Sequence, residues 1–159
     1  MATVISGDTG IDKVQSSANP DNYPANALDD SWNYTRSTNL NITSATTFDW
    51  NTPVHIGSNI SESSGVFTVT NSGLYMISCR MANNSNNNGT VDFRLRVNNV
   101  VIYSTRLYWS SASEISYIGA AACWTVPLNA GDNVRMYGSG NVRGSNDMGN
   151  FSGAKIGEL

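Results

Sequence analysis

The sequence predicts an all-β chain folded as an antiparallel sandwich or barrel, and three observations lead there. Short runs rich in Val, Ile, Phe, Tyr and Thr recur at roughly 8–12-residue spacing, divided by turn signals built from Asn, Ser and Gly. No stretch between them repeats its apolar residues with a helical period. The strong helix formers Glu, Lys and Gln are scarce, and charged residues of all kinds reach only 13%. At 159 residues the chain is long enough for one core of ordinary size.

Val66–Thr70 is the first clear strand run, closed by the turn signal Asn71-Ser72-Gly73. Leu74–Met81 alternates, placing Tyr75, Ile77, Cys79 and Met81 on one face. An Asn-rich turn over 83–89 leads into Val91–Val97, where apolar and charged residues alternate cleanly. Asn98-Asn99 is a two-residue hairpin connection into Val100–Tyr103. Ile115–Val126 is a longer strand, and Pro127–Asp132 turns the chain into Val134–Tyr137. A glycine-rich loop over 138–149 precedes a closing strand, Phe151–Ile156.

Residues 1–40 read as an irregular N-terminal arm, and 41–159 as the folded domain. The arm is rich in Gly, Pro, Asp, Asn and Ser, with room for one short helix around Pro24–Asp30. Its large apolar residues are isolated: Val4-Ile5, Ile11, Val14, Leu28 and Trp32. Such a segment either stays mobile or orders by docking on another surface through those side chains.

The Ile115–Val126 run departs from the half-buried pattern, because both of its faces are apolar. One carries Ile115, Tyr117, Ala121 and Cys123; the other carries Ile118, Ala120, Ala122, Trp124 and Val126. A sandwich strand normally keeps one face in water. Either a loop of the same chain covers the second face, or a symmetric oligomer buries it. The oligomer reading assigns Ile118, Ala120, Ala122, Trp124 and Val126 to the subunit interface.

Composition and side-chain chemistry exclude several functions. Nine Lys+Arg against twelve Asp+Glu give a net charge of −3, which is no footprint for nucleic acid. The longest apolar run, 118–126, is far too short to cross a membrane as a helix. The first residues show no basic start and apolar core of a secretory signal. His55 is the only histidine, so no His cluster can hold a metal, and no Gly-x-Ser-x-Gly elbow supports a nucleophile. Cys79 and Cys123 are too few for a zinc site, and their pairing depends on whether their strands are neighbours. Asp8, Asp12, Asp29 and Asp30 lack the spacing of a calcium loop. No enzyme activity, metal or cofactor is expected. What remains is recognition: Tyr103, Tyr108 and Trp109 with Arg106 make an aromatic and basic candidate ligand surface, suited to a glycan or protein partner.

Four stretches together resemble the globular head domain of the complement and tumour-necrosis-factor superfamily. Phe67-Thr68-Val69 with Gly73-Leu74-Tyr75-Met76-Ile77-Ser78 resembles its F-x-V…G-x-Y-x-(I/F)-S stretch. Leu95–Asn99 resembles its central strand and turn, although that turn is more often Asn-Gly. Val126–Val134 resembles L-x-x-G-D-x-V, and Phe151–Ile156 resembles the closing F-S-G-x-x-(I/L). The resemblance covers roughly residues 41–159 and implies a jelly-roll sandwich of about ten strands that forms a homotrimer. No collagen-like repeat precedes the domain. Separately, Val4–Gln15 is similar to the opening of many tailed-phage fibre and virion proteins, particularly those of phages infecting cyanobacteria.

Together these imply a non-enzymatic virion structural protein at the particle surface. A trimeric knob would attach to other virion proteins, of capsid or tail, through Val4, Ile5, Ile11, Val14 and Trp32 of the arm. Capsid decoration or cement is the first expectation. A short tail-fibre tip recognising a host-surface glycan is the second, and a secreted lectin-like adhesin or signalling module the third.

Overall fold

Strict alternation in the central strand runs fixes which side chains turn inward, and the rest of the architecture follows from that. The computed structural model describes residues 28–84, 89–109, 119–144 and 149–159. In chain order its strands are β1 (Ser31–Thr35), β2 (Leu40–Thr47), β3 (Thr52–Ile56), β4 (Ile60–Ser63), β5 (Val66–Val69) and β6 (Gly73–Ala82). They continue with β7 (Gly89–Val97), β8 (Val100–Trp109), β9 (Gly119–Leu128), β10 (Asn133–Val142) and β11 (Asn150–Gly157).

The strands form two antiparallel sheets packed face to face. One is five-stranded, in the order β3-β1-β11-β6-β9; the other is β4-β5-β10-β7-β8, with β2 also pairing along β10. Strand β10 divides its free side between two partners, β5 at Asn133–Arg135 and β2 from Tyr137 onward. This is the predicted all-β jelly roll, with eleven strands among the described residues.

Tyr75, Ile77, Cys79 and Met81 of β6 are buried, as are Val91, Phe93 and Leu95 of β7. Between the sheets Trp32 stacks on Phe67 at 5.4 Å, Phe67 meets Phe151 edge-on at 5.3 Å, and Trp50 stacks on Phe151 at 6.0 Å. Each fully buried ring contributes on the order of 1.5–3 kcal/mol of burial. Asn98 and Asn99 both have positive φ (48° and 71°), as the expected two-residue turn between β7 and β8 requires.

Two expectations about the first part of the chain are corrected. Strand β1 lies inside the five-stranded sheet, with Trp32 opposite Gly153 and Tyr34 opposite Phe151 of β11. The sandwich therefore begins before residue 40, and Ser31–Thr35 belongs to it. Trp32, expected to dock on a particle, is 1% exposed in the core because its ring fills the space over Gly153. Of the short helix expected around 24–30, only 28–30 lie among the described residues; Leu28 and Asp29 have helical backbone. The expected loop over 138–149 is also shorter, since β10 runs on to Val142. Gly138 sits within that strand because a Cβ there would collide with the Asp92 carbonyl of β7.

Candidate functional site

Strand β9 pairs with β6 in a register that sets Cys79 opposite Ala122 and Ser78 opposite Cys123. Cross-strand partners share a face, so Ala122 turns inward with Cys79 and Cys123 turns outward with Ser78. The face expected to meet a partner subunit is thus the inward one. Val126 is 4% exposed within this one chain, and Ala120, Ala122 and Trp124 pack against the core cluster. Ile118 lies outside the described residues. The outward face of β9 carries Ala121, Cys123, Thr125 and Pro127, all exposed. The same register settles the cysteines: although their strands are neighbours, the two thiols point to opposite faces, and both are free. Burial pushes the Cys79 thiol well above its ordinary range.

The outward face of the five-stranded sheet is nearly without charge. One row across it reads His55, Asn33, Ser152, Ser78 and Cys123 from β3 to β9. The flanking rows bring Ser31, Ala154, Met76 and Thr125 on one side and Thr35, Asn150, Arg80 and Ala121 on the other. Ser78 and Ser152 hydroxyls share a hydrogen bond of 2.7 Å, and the Asn33 Oδ1 is buried with no donor among the described residues. A shallow depression of about 330 Å³ opens on this face over Ser78, Ala121, Cys123 and Asn150. His55 is a structural residue here. Its Nε2 lies 2.9 Å from the Leu28 carbonyl and 3.0 Å from the Ser31 hydroxyl, tying β3 to the entry of β1.

The last strands in each order, β9 and β8, lie at the same side of the sandwich. Both are ten residues long, and among the described residues each lacks a strand partner on its outer side, whereas β3 and β4 at the far ends span only five and four residues. Tyr103 of β8 stacks on Trp124 of β9 across the gap, with ring centroids 6.0 Å apart and planes 8° from parallel. Val100, Val101, Ile102 and Tyr103 are all exposed along this edge.

The aromatic and basic surface expected from Tyr103, Arg106, Tyr108 and Trp109 is divided by the pleat. Tyr103 pairs with buried Leu95 and turns toward the gap between the sheets. Arg106 and Tyr108 turn outward from the six-stranded sheet, where Arg106 reaches Asp92. Trp109 ends β8, and its side chain lies outside the described part. Val4, Ile5, Ile11 and Val14 also lie outside the described residues. Among the described residues, no three metal-ligating side chains gather.

Sequence reasoning missed the edge because the β8 run was read only to Tyr103. The alternation of Ser104, Arg106 and Tyr108 with their neighbours was the available signal for a longer strand.

No family model and no curated protein matches the chain. Solved structures do. The Eiger TNF of S. frugiperda superposes with a TM-score of 0.63 at 12% identity, over 81% of this chain and 93% of that one. Murine APRIL, solved at pH 5.0, gives 0.61 at 16% identity, over 79% of this chain and 98% of its own. At such identities the likeness is one of fold: this chain is built on a jelly roll of the TNF type.

Proposed function

We propose that the chain is a non-enzymatic virion structural protein of a tailed phage, whose jelly rolls assemble as a homotrimeric knob held to the particle by the segment before β1. The observation that carries the assembly is the pair of long bare edges on one side of the sandwich. A ten-residue strand with no partner on its outer side among the described residues, lined by Val100, Val101, Ile102 and Tyr103, is an aggregation hazard unless another surface covers it. The flat, low-charge face of the five-stranded sheet offers that surface: its small Ser, Ala and Thr side chains admit close approach. Edge against face is a heterologous contact, which closes into a ring when the rotation permits. A ring of three accords with the trimers of the superfamily that the sequence resembles. The interface this predicts uses Ala121, Cys123 and Thr125 rather than the inward side of β9.

The virion reading is supported by the similarity of Val4–Gln15 to the opening of phage fibre and virion proteins. Capsid decoration is preferred over a fibre tip, because the residues between that opening and β1 are too few for a shaft. The fibre-tip reading, with a host-surface glycan as ligand, draws on Tyr108, which is 67% exposed beside Arg106.

Light scattering at micromolar concentration should return three times the 17.1 kDa chain mass. A monomer would overturn the assembly. Imaging of virions that carry the protein separates the rest: density on the capsid supports decoration, density at the tail supports the fibre tip, and density on neither removes the virion reading.

A further inference from the structure

The outward face of the six-stranded sheet differs from the rest of the molecule in charge. Val91, Phe93 and Leu95 of β7 are buried, so Asp92, Arg94 and Arg96, at the alternate positions, turn outward. Arg106 stands opposite Asp92 on β8, and Arg135 stands opposite Arg96 on β10. Four of the nine basic residues of the chain are thus gathered on three adjacent strands. Asp92 answers two of them: Arg94 donates to it at 2.5 Å and Arg106 at 3.2 Å.

Arg96 and Arg135 are arranged differently. They are direct cross-strand partners, a placement that like charges ordinarily avoid. The Arg96 guanidinium lies 3.4 Å over the Tyr137 ring, which positions it without neutralising it. The Nε–H groups of both are buried with no acceptor among the described residues. Two guanidiniums side by side with no acidic partner call for an external oxyanion, which would meet their outer N–H groups rather than the buried Nε–H.

The four arginines and one aspartate sum to 4 − 1 = +3, which leaves −6 for the remainder of a chain whose net charge is −3. A duplex nucleic acid, with one charge per about 1.7 Å, would meet that negative remainder. A polymer with widely spaced charges meets the arginine face alone. Thr90, the partner of Tyr108, is six residues from Arg96 along β7, about 20 Å at 3.3 Å per residue. That span suits an oligomer rather than a single small ion.

We propose that the outward face of the six-stranded sheet binds an acidic polysaccharide, its carboxylate or sulfate groups bridging Arg96 and Arg135 and then reaching Arg106, with the exposed Tyr108 ring packing against a sugar. Arg106 and Tyr108 belong to the edge strand β8 but turn outward from the sheet, and the site does not depend on the virion reading.

Calorimetric titration of the full chain tests it with polygalacturonate and κ-carrageenan, whose charges are widely spaced, as the acidic probes, and neutral dextran and poly(dT) as comparisons. Binding of at least one acidic polysaccharide, weakening steeply with salt, is expected, and the tighter of the two identifies carboxylate or sulfate as the preferred group. The double variant Arg96→Gln, Arg135→Gln should lose tenfold or more in affinity while its melting temperature holds or rises, since an opposed pair of charges has been removed. Arg106→Gln, at an exposed position, should weaken binding several-fold and carries the test should the double variant not fold. Lys155→Gln, on the other sheet, should change nothing. Equal binding of neutral dextran, tighter binding of poly(dT), no binding of either acidic polymer, or affinities indifferent to both arginine variants would overturn the proposal.

Discussion

Gly153 and Trp32 divide one volume between the sheets. A Cβ built on Gly153 would fall inside the Trp32 ring, so the two positions are chosen jointly. Gly153→Ala should therefore cost about 1–3 kcal/mol of stability, the usual range for overpacking a tight core, read as a lower urea midpoint with unchanged slope. Asp92 offers a second test at this scale. Hydrogen bonds from Arg94, opposed by burial and joined by those from Arg106, hold its carboxyl below the ordinary carboxylate range. Its folded pKa is thus lower than its unfolded one. The stability it contributes is present above the unfolded value, about pH 4, and is lost as pH falls through the folded value. Denaturation of the native chain and Asp92→Asn across pH 2–7 should show a difference in stability that is constant above about pH 5 and shrinks steadily below it.

Strand β9 shows how much of an element a sequence can carry. The apolar character of both its faces was legible, since small and aromatic residues fill successive positions from Ala120 to Trp124. Which face turns inward was not, because a period of two is symmetric and only the pairing with β6 breaks the tie. The same limit hid β1: Ser-Trp-Asn-Tyr-Thr alternates correctly, yet its flanks of Asp, Asn and Ser read as loop until β11 supplies a partner. Strands β6, β7 and β11 and the Asn98-Asn99 turn were legible because each carries its pattern locally. The basic face was written in the sequence as Arg94, Arg96 and Arg135, but their convergence is a fact of register. Adjacent substitutions on β9 separate its two faces. Ala121→Arg, outward, should leave stability within about 0.5 kcal/mol while reducing the proposed trimer to monomer by light scattering. Ala122→Arg, inward, should instead cost about 3 kcal/mol or more in the monomer, since it buries an unpaired charge in the core.

For the whole molecule, the place where the sandwich begins decides what can be removed. Truncation to residue 28 leaves all eleven strands, and its thermal unfolding should stay cooperative. Truncation to residue 41 deletes β1 with Trp32 and Tyr34, uncovering Phe67 and Phe151. That shorter chain should show no cooperative transition in near-ultraviolet circular dichroism. If it melts like the longer one, β1 is dispensable and the core is smaller than its burial indicates. The five-stranded sheet has a further property: its middle strand is β11, hydrogen-bonded to β1 on one side and β6 on the other. During synthesis β1 finds β3 early but must wait more than a hundred residues for its other neighbour, β11, a long-range pairing of the kind that folds slowly. Until residue 157 has cleared the ribosome, β1 and β6 have an empty lane between them. A chain interrupted before β11 lacks the strand that joins β1 to β6, so this sheet closes only once Asn150–Gly157 are in place.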